Sequence, residues 1–208
     1  MRFLFIIFLF SLTTFSQEDI VAQEYFKNGE FEKALILYKR LNKQKPNNSK
    51  YIIQLVKVYQ QLEQYTDAQS LLEQQILKVR FPAYYVELGF NYSLMNNNEK
   101  ANENYAKAIA SLDDNPSYVY SISKSFEDHS LLNQAIATYE KAKKLKPELN
   151  FNIQLARIYG EQGDVEKMFT SYLNFVETNH SYVNNIKRNI REFISEDSYN
   201  ENNTIPVS

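Results

Sequence analysis

Cysteine is absent from this 208-residue sequence, and so is tryptophan. Without cysteine there is no disulfide, no thiolate metal ligand, no cysteine nucleophile and no lipid attachment through an N-terminal cysteine. Histidine occurs only at 129 and 180, too few for a histidine-built metal centre. Glycine occurs only at 29, 89, 160 and 163, so no glycine-rich loop can cradle a phosphate. Neither a Gly-x-Ser-x-Gly turn nor a His-Glu-x-x-His helix is present. No sign of charge dominates either. The formal net charge of −2 gives no electrostatic reason to bind nucleic acid or an anionic membrane.

Long apolar runs are missing too, with one exception at the N-terminus. Residues 1–16 place Arg2 before an apolar run from Phe3 to Leu12, and the small residues Thr14 and Ser16 follow. A basic start, a short apolar centre and a small-residue exit are the parts of a secretory signal peptide. The run is short of the roughly 20 residues that cross a bilayer, although an uncleaved N-terminal anchor is the competing reading. Cleavage is expected before Gln17. The expected location is therefore outside the cytoplasm, in a periplasm or the extracellular space.

What the sequence has in quantity is aromatic side chains, sixteen Tyr and fourteen Phe, and they are periodic. Tyr25, Tyr59, Tyr92, Phe126 and Tyr159 recur every 33 or 34 residues. A second register keeps the same interval in Ala34, Ala68, Ala101, Ala135 and Met168. A third does so in Tyr38, Leu72, Tyr105, Tyr139 and Tyr172. Three registers with one period of about 34 residues specify stacked helical hairpins.

The stretch from Pro82 to Pro116 shows one unit most clearly. Pro82 stands where a first helix begins, a position that tolerates a missing N–H. Tyr85, Leu88, Gly89 and Tyr92 follow on one helical stripe. Gly89 lies where a neighbouring helix must come close. Asn96, Asn97 and Asn98 form a polar turn, and a second helix presents Ala101, Tyr105, Ala108 and Ile109 inward. Asp113, Asp114 and Asn115 then end it.

Leu88, Gly89, Tyr92, Ala101, Tyr105 and Ala108 resemble the tetratricopeptide repeat, whose signature is Leu-Gly, then Tyr, then Ala-x3-Phe/Tyr, Ala and Pro. The first unit supplies Ala22, Tyr25, Gly29, Ala34, Tyr38 and Pro46. The second has Leu55, Tyr59 and Ala68, but departs with Leu72 and Gln75. The fourth has Phe126, Ala135, Tyr139, Ala142 and Pro147, with Ser123 where a small Gly or Ala is usual. The fifth has Leu155, Ala156, Tyr159, Gly163 and Tyr172, with Met168 in place of the alanine. The resemblance implies an all-α fold, a right-handed superhelical solenoid of about five hairpins. The expected units are 17–48, 49–81, 82–115, 116–148 and 149–180. A capping helix over 181–195 follows, with Ile186, Ile190, Phe193 and Ile194 on its apolar stripe. A disordered polar tail is expected over 196–208.

The same resemblance implies a binding surface, because the first helices of such hairpins line a concave groove. Two residues before each aromatic stand Gln23, Lys57, Phe90, Lys124 and Arg157. Six before it, in the later four units, stand Ile53, Val86, Tyr120 and Ile153. The two rows are about one turn apart and share a helix face. They predict a groove for protein or peptide segments that carry apolar and acidic side chains. No catalytic, cofactor-binding or metal-binding residues are assigned. Acid pairs such as Asp113–Asp114 and Glu127–Asp128, and both histidines, read as solvated turn or helix-end residues. The functional expectation is a noncatalytic interaction scaffold, possible settings being envelope, secretion or surface machinery. A sensory input module acting on a separate or missing signalling domain is the alternative, and a cell-wall-associated accessory protein the weaker one.

Overall fold

Four of the five aromatics of the 33/34-residue register end a helix in the same way. The carbonyls of Tyr25, Tyr59, Tyr92 and Tyr159 each accept a hydrogen bond from the backbone N–H five residues on, at 2.8–2.9 Å. That bond closes a turn whose next-to-last residue has a positive φ: Gly29, Glu63, Asn96 and Gly163, all between 56° and 74°. Ser130, the equivalent residue after Phe126, has φ 55°. The turn therefore repeats with the period of the sequence, although glycine occupies only two of its five positions.

The computed structural model describes residues 17–197, with side chains through Arg191. The expected signal peptide, residues 1–16, and the tail beyond 197 lie outside the described residues. The chain is all-α among the described residues. The described residues divide into two compact units, 17–129 and 130–197. The division falls after the first helix of the expected fourth hairpin.

The first unit holds helical residues 17–27 (α1), then α2 (Phe31–Gln44), α3 (Ser49–Gln61), α4 (Tyr65–Lys78), α5 (Ala83–Leu94), α6 (Asn98–Ala110) and α7 (Val119–Asp128). Side-chain caps start several of them. Asn48 accepts from the Tyr51 N–H at the head of α3, and Asn97 from the Lys100 N–H at the head of α6. Pro82 directly precedes α5. Helix α5 packs on α3, α4, α6 and α7. That central place explains its composition, because it is buried on nearly every side.

Gly89 is where α6 comes closest to α5. A Cβ there would sit 2.4 Å from Tyr105 Cε1 and 2.9 Å from the Ala101 carbonyl oxygen. The expected close approach is real, and hydrogen is the only side chain that fits. All five members of the alanine register and all five of the Tyr38 register are buried. Tyr38 and Tyr84 are enclosed deeply enough that burial pushes both phenols up, Tyr84 to about 12.

The second unit holds α8 (Leu132–Leu145), α9 (Asn152–Glu161), α10 (Val165–Thr178) and α11 (Val183–Asp197). Its core joins Ala156, Met168, Tyr172 and Ile186, with Tyr159, Phe169, Phe175, Val176 and Ile190 packed around them. Met168 enters this core in place of the alanine of the other units. Ile186 and Ile190 bring α11 onto the α9–α10 hairpin, as a cap does. A 3-10 turn, His180–Tyr182, precedes α11, which runs to Asp197.

Candidate interaction surface

Helix α3 carries Lys50, Gln54 and Lys57 at i, i+4 and i+7, so the three share one face. Helix α1 carries Gln23, Phe26 and Lys27 at i, i+3 and i+4. These six residues line a cleft of about 340 Å³ in the first unit. Its lining combines three lysines and two glutamines with the half-buried Phe26 ring.

Carboxylates of the chain itself answer part of that charge. Asp19 takes the Lys50 ammonium at 2.5 Å and accepts from the Gln23 amide at 3.1 Å. Asp128, at the end of α7, lies 3.2 Å from Lys57 and also pairs with Lys124. Partial burial works against the Asp128 charge, but the Lys124 hydrogen bond and the Lys57 ammonium outweigh it and hold its carboxyl below the ordinary range. The basic row expected from sequence is present, but two of its members share one internal counter-ion.

Next to that triad lies a buried polar cluster. Glu87 on α5 is 1% exposed. Its Oε1 accepts from Ser125 Oγ at 2.5 Å, and its Oε2 lies 2.9 Å from His129 Nε2. The His129 ring stacks on Phe90, with centroids 3.8 Å apart and planes 17° from parallel. The acid stands between the serine and the histidine. A serine nucleophile needs the histidine in that middle place, so this is not a relay that would activate Ser125. It is a tie between α5 and α7.

Two sequence expectations are corrected here. Val86 is fully buried and belongs to the core, because α5 has neighbours on the side where an open row was expected. His129 is not a solvated turn residue: its side chain is 6% exposed, turned back from the end of α7 onto Glu87. Of the other expected residues, Gln23, Ile53, Lys57 and Phe90 are half-buried, and Tyr120 and Lys124 are exposed. In the second unit Ile153 is half-buried on α9. Arg157 is exposed, 3.9 Å from Glu161. Sequence reasoning missed Phe26, Lys27, Lys50 and Gln54, which do not fall in the two rows. The Lys50–Gln54–Lys57 spacing was the available signal.

Among the described residues, no cluster of three His, Cys, Asp or Glu side chains is placed to hold a metal. No helix among them is long and apolar enough to cross a membrane.

Helical hairpins with a shared turn and a small-residue seam define a class of repeat protein. Residues 25–88 match the sequence profile of the tetratricopeptide repeat. Residues 25–88 therefore carry the tetratricopeptide repeat pattern, and the three registers keep the same interval beyond the matched stretch. Several solved structures are similar in fold. One MamA crystal structure is 20% identical, covering 82% of this chain and 94% of its own, with a TM-score of 0.42. BtubC from P. vanneervenii is 16% identical, with 93% and 84% covered and a TM-score of 0.43. TTC0263, a thermophilic tetratricopeptide protein of Thermus thermophilus, is 14% identical, with 86% and 98% covered and a TM-score of 0.45. No curated protein sequence matches the chain. These likenesses show the fold alone.

Proposed function

We propose that this chain is a noncatalytic scaffold that holds partner protein segments against the first-helix face of its first unit. The supporting observation is the cleft between α1 and α3, whose lining joins three lysines and two glutamines to Phe26 and includes Gln23 and Lys57 of the expected rows. The buried Glu87–His129 tie, farther along that face, holds the end of α7 against α5. A surface held in this way binds with less ordering cost than a mobile one.

We also propose that the protein acts outside the cytoplasm. The basic, apolar and small-residue segments of residues 1–16 support this reading. N-terminal sequencing of protein recovered from the cell envelope is expected to begin at Gln17. Recovery from the cytoplasm with Met1 retained would contradict it.

In-cell crosslinking followed by mass spectrometry tests the scaffold reading. Wild-type protein is expected to give discrete partner adducts, and the double variant Tyr120→Ala, Lys124→Glu to lose them while keeping its helical content. The same adducts from the double variant would overturn the assignment of this face.

A further inference from the structure

The α1–α3 cleft brings three ammonium groups together, those of Lys27, Lys50 and Lys57. Two are already engaged by carboxylates from the edge of the cleft, Lys50 by Asp19 and Lys57 by Asp128. Lys27 is exposed and makes no ion pair among the described residues. Both acids stand where a ligand's acids would stand, and neither lines the cleft itself. Lys50 is about half exposed, so its pair is reached by water. Exchanging one carboxylate for another at such a site costs little, because each pair is worth little against solvent. Phe26 lines the same cleft, an aromatic surface that a purely ionic site would not need.

We propose that this cleft takes an acidic partner segment with one aromatic anchor, the anchor set against Phe26 and the acids displacing Asp19 and Asp128 from Lys50 and Lys57. The proposal rests on the reading of the first-helix face as the partner surface and names the chemistry of what binds there. It makes the two internal acids competitors of the ligand. Occupancy also reaches α7: once Lys57 turns to the ligand, Asp128 keeps Lys124 alone, and the link between α3 and α7 is released.

The test is fluorescence anisotropy with the purified full chain. The probe is a short fluorescein-labelled peptide of glutamates around one phenylalanine, beside a matched peptide with glutamine at every glutamate. The acidic peptide is expected to bind at least ~10-fold more tightly than its glutamine counterpart and to weaken as salt is added. Lys27→Glu with Lys50→Glu is expected to weaken it by ~10-fold or more. Asp128→Asn and, separately, Asp19→Asn are expected to tighten it several-fold, a direction that general damage to the fold would not produce. Circular dichroism melts check that each variant remains folded.

Equal binding of the two peptides would overturn the proposal, as would a failure of both asparagine variants to tighten the acidic one. Absence of binding by either peptide would overturn it as well. The in-cell adducts of the first-helix face stand or fall separately, so loss of the acid preference is distinguishable from loss of the partner surface itself.

Discussion

His129 and Glu87, 42 residues apart in sequence, meet at 2.9 Å with both side chains buried. A carboxylate taken out of water this fully is tolerable only because Ser125 and His129 supply its hydrogen bonds. Removing one member leaves the other uncompensated. His129→Ala is expected to destabilise the protein by about 1–3 kcal/mol in urea unfolding. The pair Glu87→Leu with His129→Phe, which removes both polar partners and fills the space, is expected to cost less than His129→Ala alone. A single variant that unfolds at the wild-type midpoint would show that the contact contributes nothing.

The seam between α5 and α6 leaves no room for a methyl group. A Cβ on Gly89 would press on the Ala101 carbonyl, which belongs to the backbone and cannot turn aside. Gly89→Ala is therefore expected to destabilise by about 1–3 kcal/mol, despite alanine's better helix propensity. A gain in thermal midpoint would refute the close approach.

The repeated turn gives a prediction of the opposite sign. Glu63 holds φ 56°, a conformation that glycine takes without a Cβ penalty, and Gly29 has the equivalent place at φ 74°. Glu63→Gly is expected to stabilise by up to about 1 kcal/mol, and Gly29→Ala to cost about as much. Equilibrium unfolding of the two variants side by side measures both.

Asp128 sets an acid limit. Its carboxyl sits below the ordinary 3.8 in the folded protein, so folding favours its charged form. The stabilisation it gives is fully present above the unfolded value of 3.8 and is lost as pH falls through the lower, folded value. The stability difference between wild type and Asp128→Asn is thus expected to hold at about 1 kcal/mol or less near neutrality. It should shrink only below about pH 4. A difference that grew on acidification would contradict the sign.

Most of the architecture was legible because packing wrote it into the sequence three times over. The Ala101 seam, the Tyr105 register and the Gly89 approach each constrain residue size, and residue size is visible in a sequence. The candidate surface was less legible because charge pairing is tertiary. Lys57 could be placed on its helix face, but its counter-ion comes from Asp128, 71 residues away, which local periodicity does not reach. His129 was misplaced for the same reason: a residue at a helix end looks solvated until its partner on another helix is known. Val86 followed the expected row and still went inside, because α5 is enclosed by four neighbouring helices. The turn register was half visible, with glycine at 29 and 163, while Glu63, Asn96 and Ser130 hid the shared conformation.

Site-specific photo-crosslinking in the native host tests the central claim most directly. A photoreactive residue is placed at Gln23, Gln54 or Tyr120 on the first-helix face, and as a control at Leu77, which is exposed on α4. The account predicts a common partner protein crosslinked from the first three positions and absent from Leu77. Adducts from Leu77 alone, or unrelated adducts from each position, would contradict it.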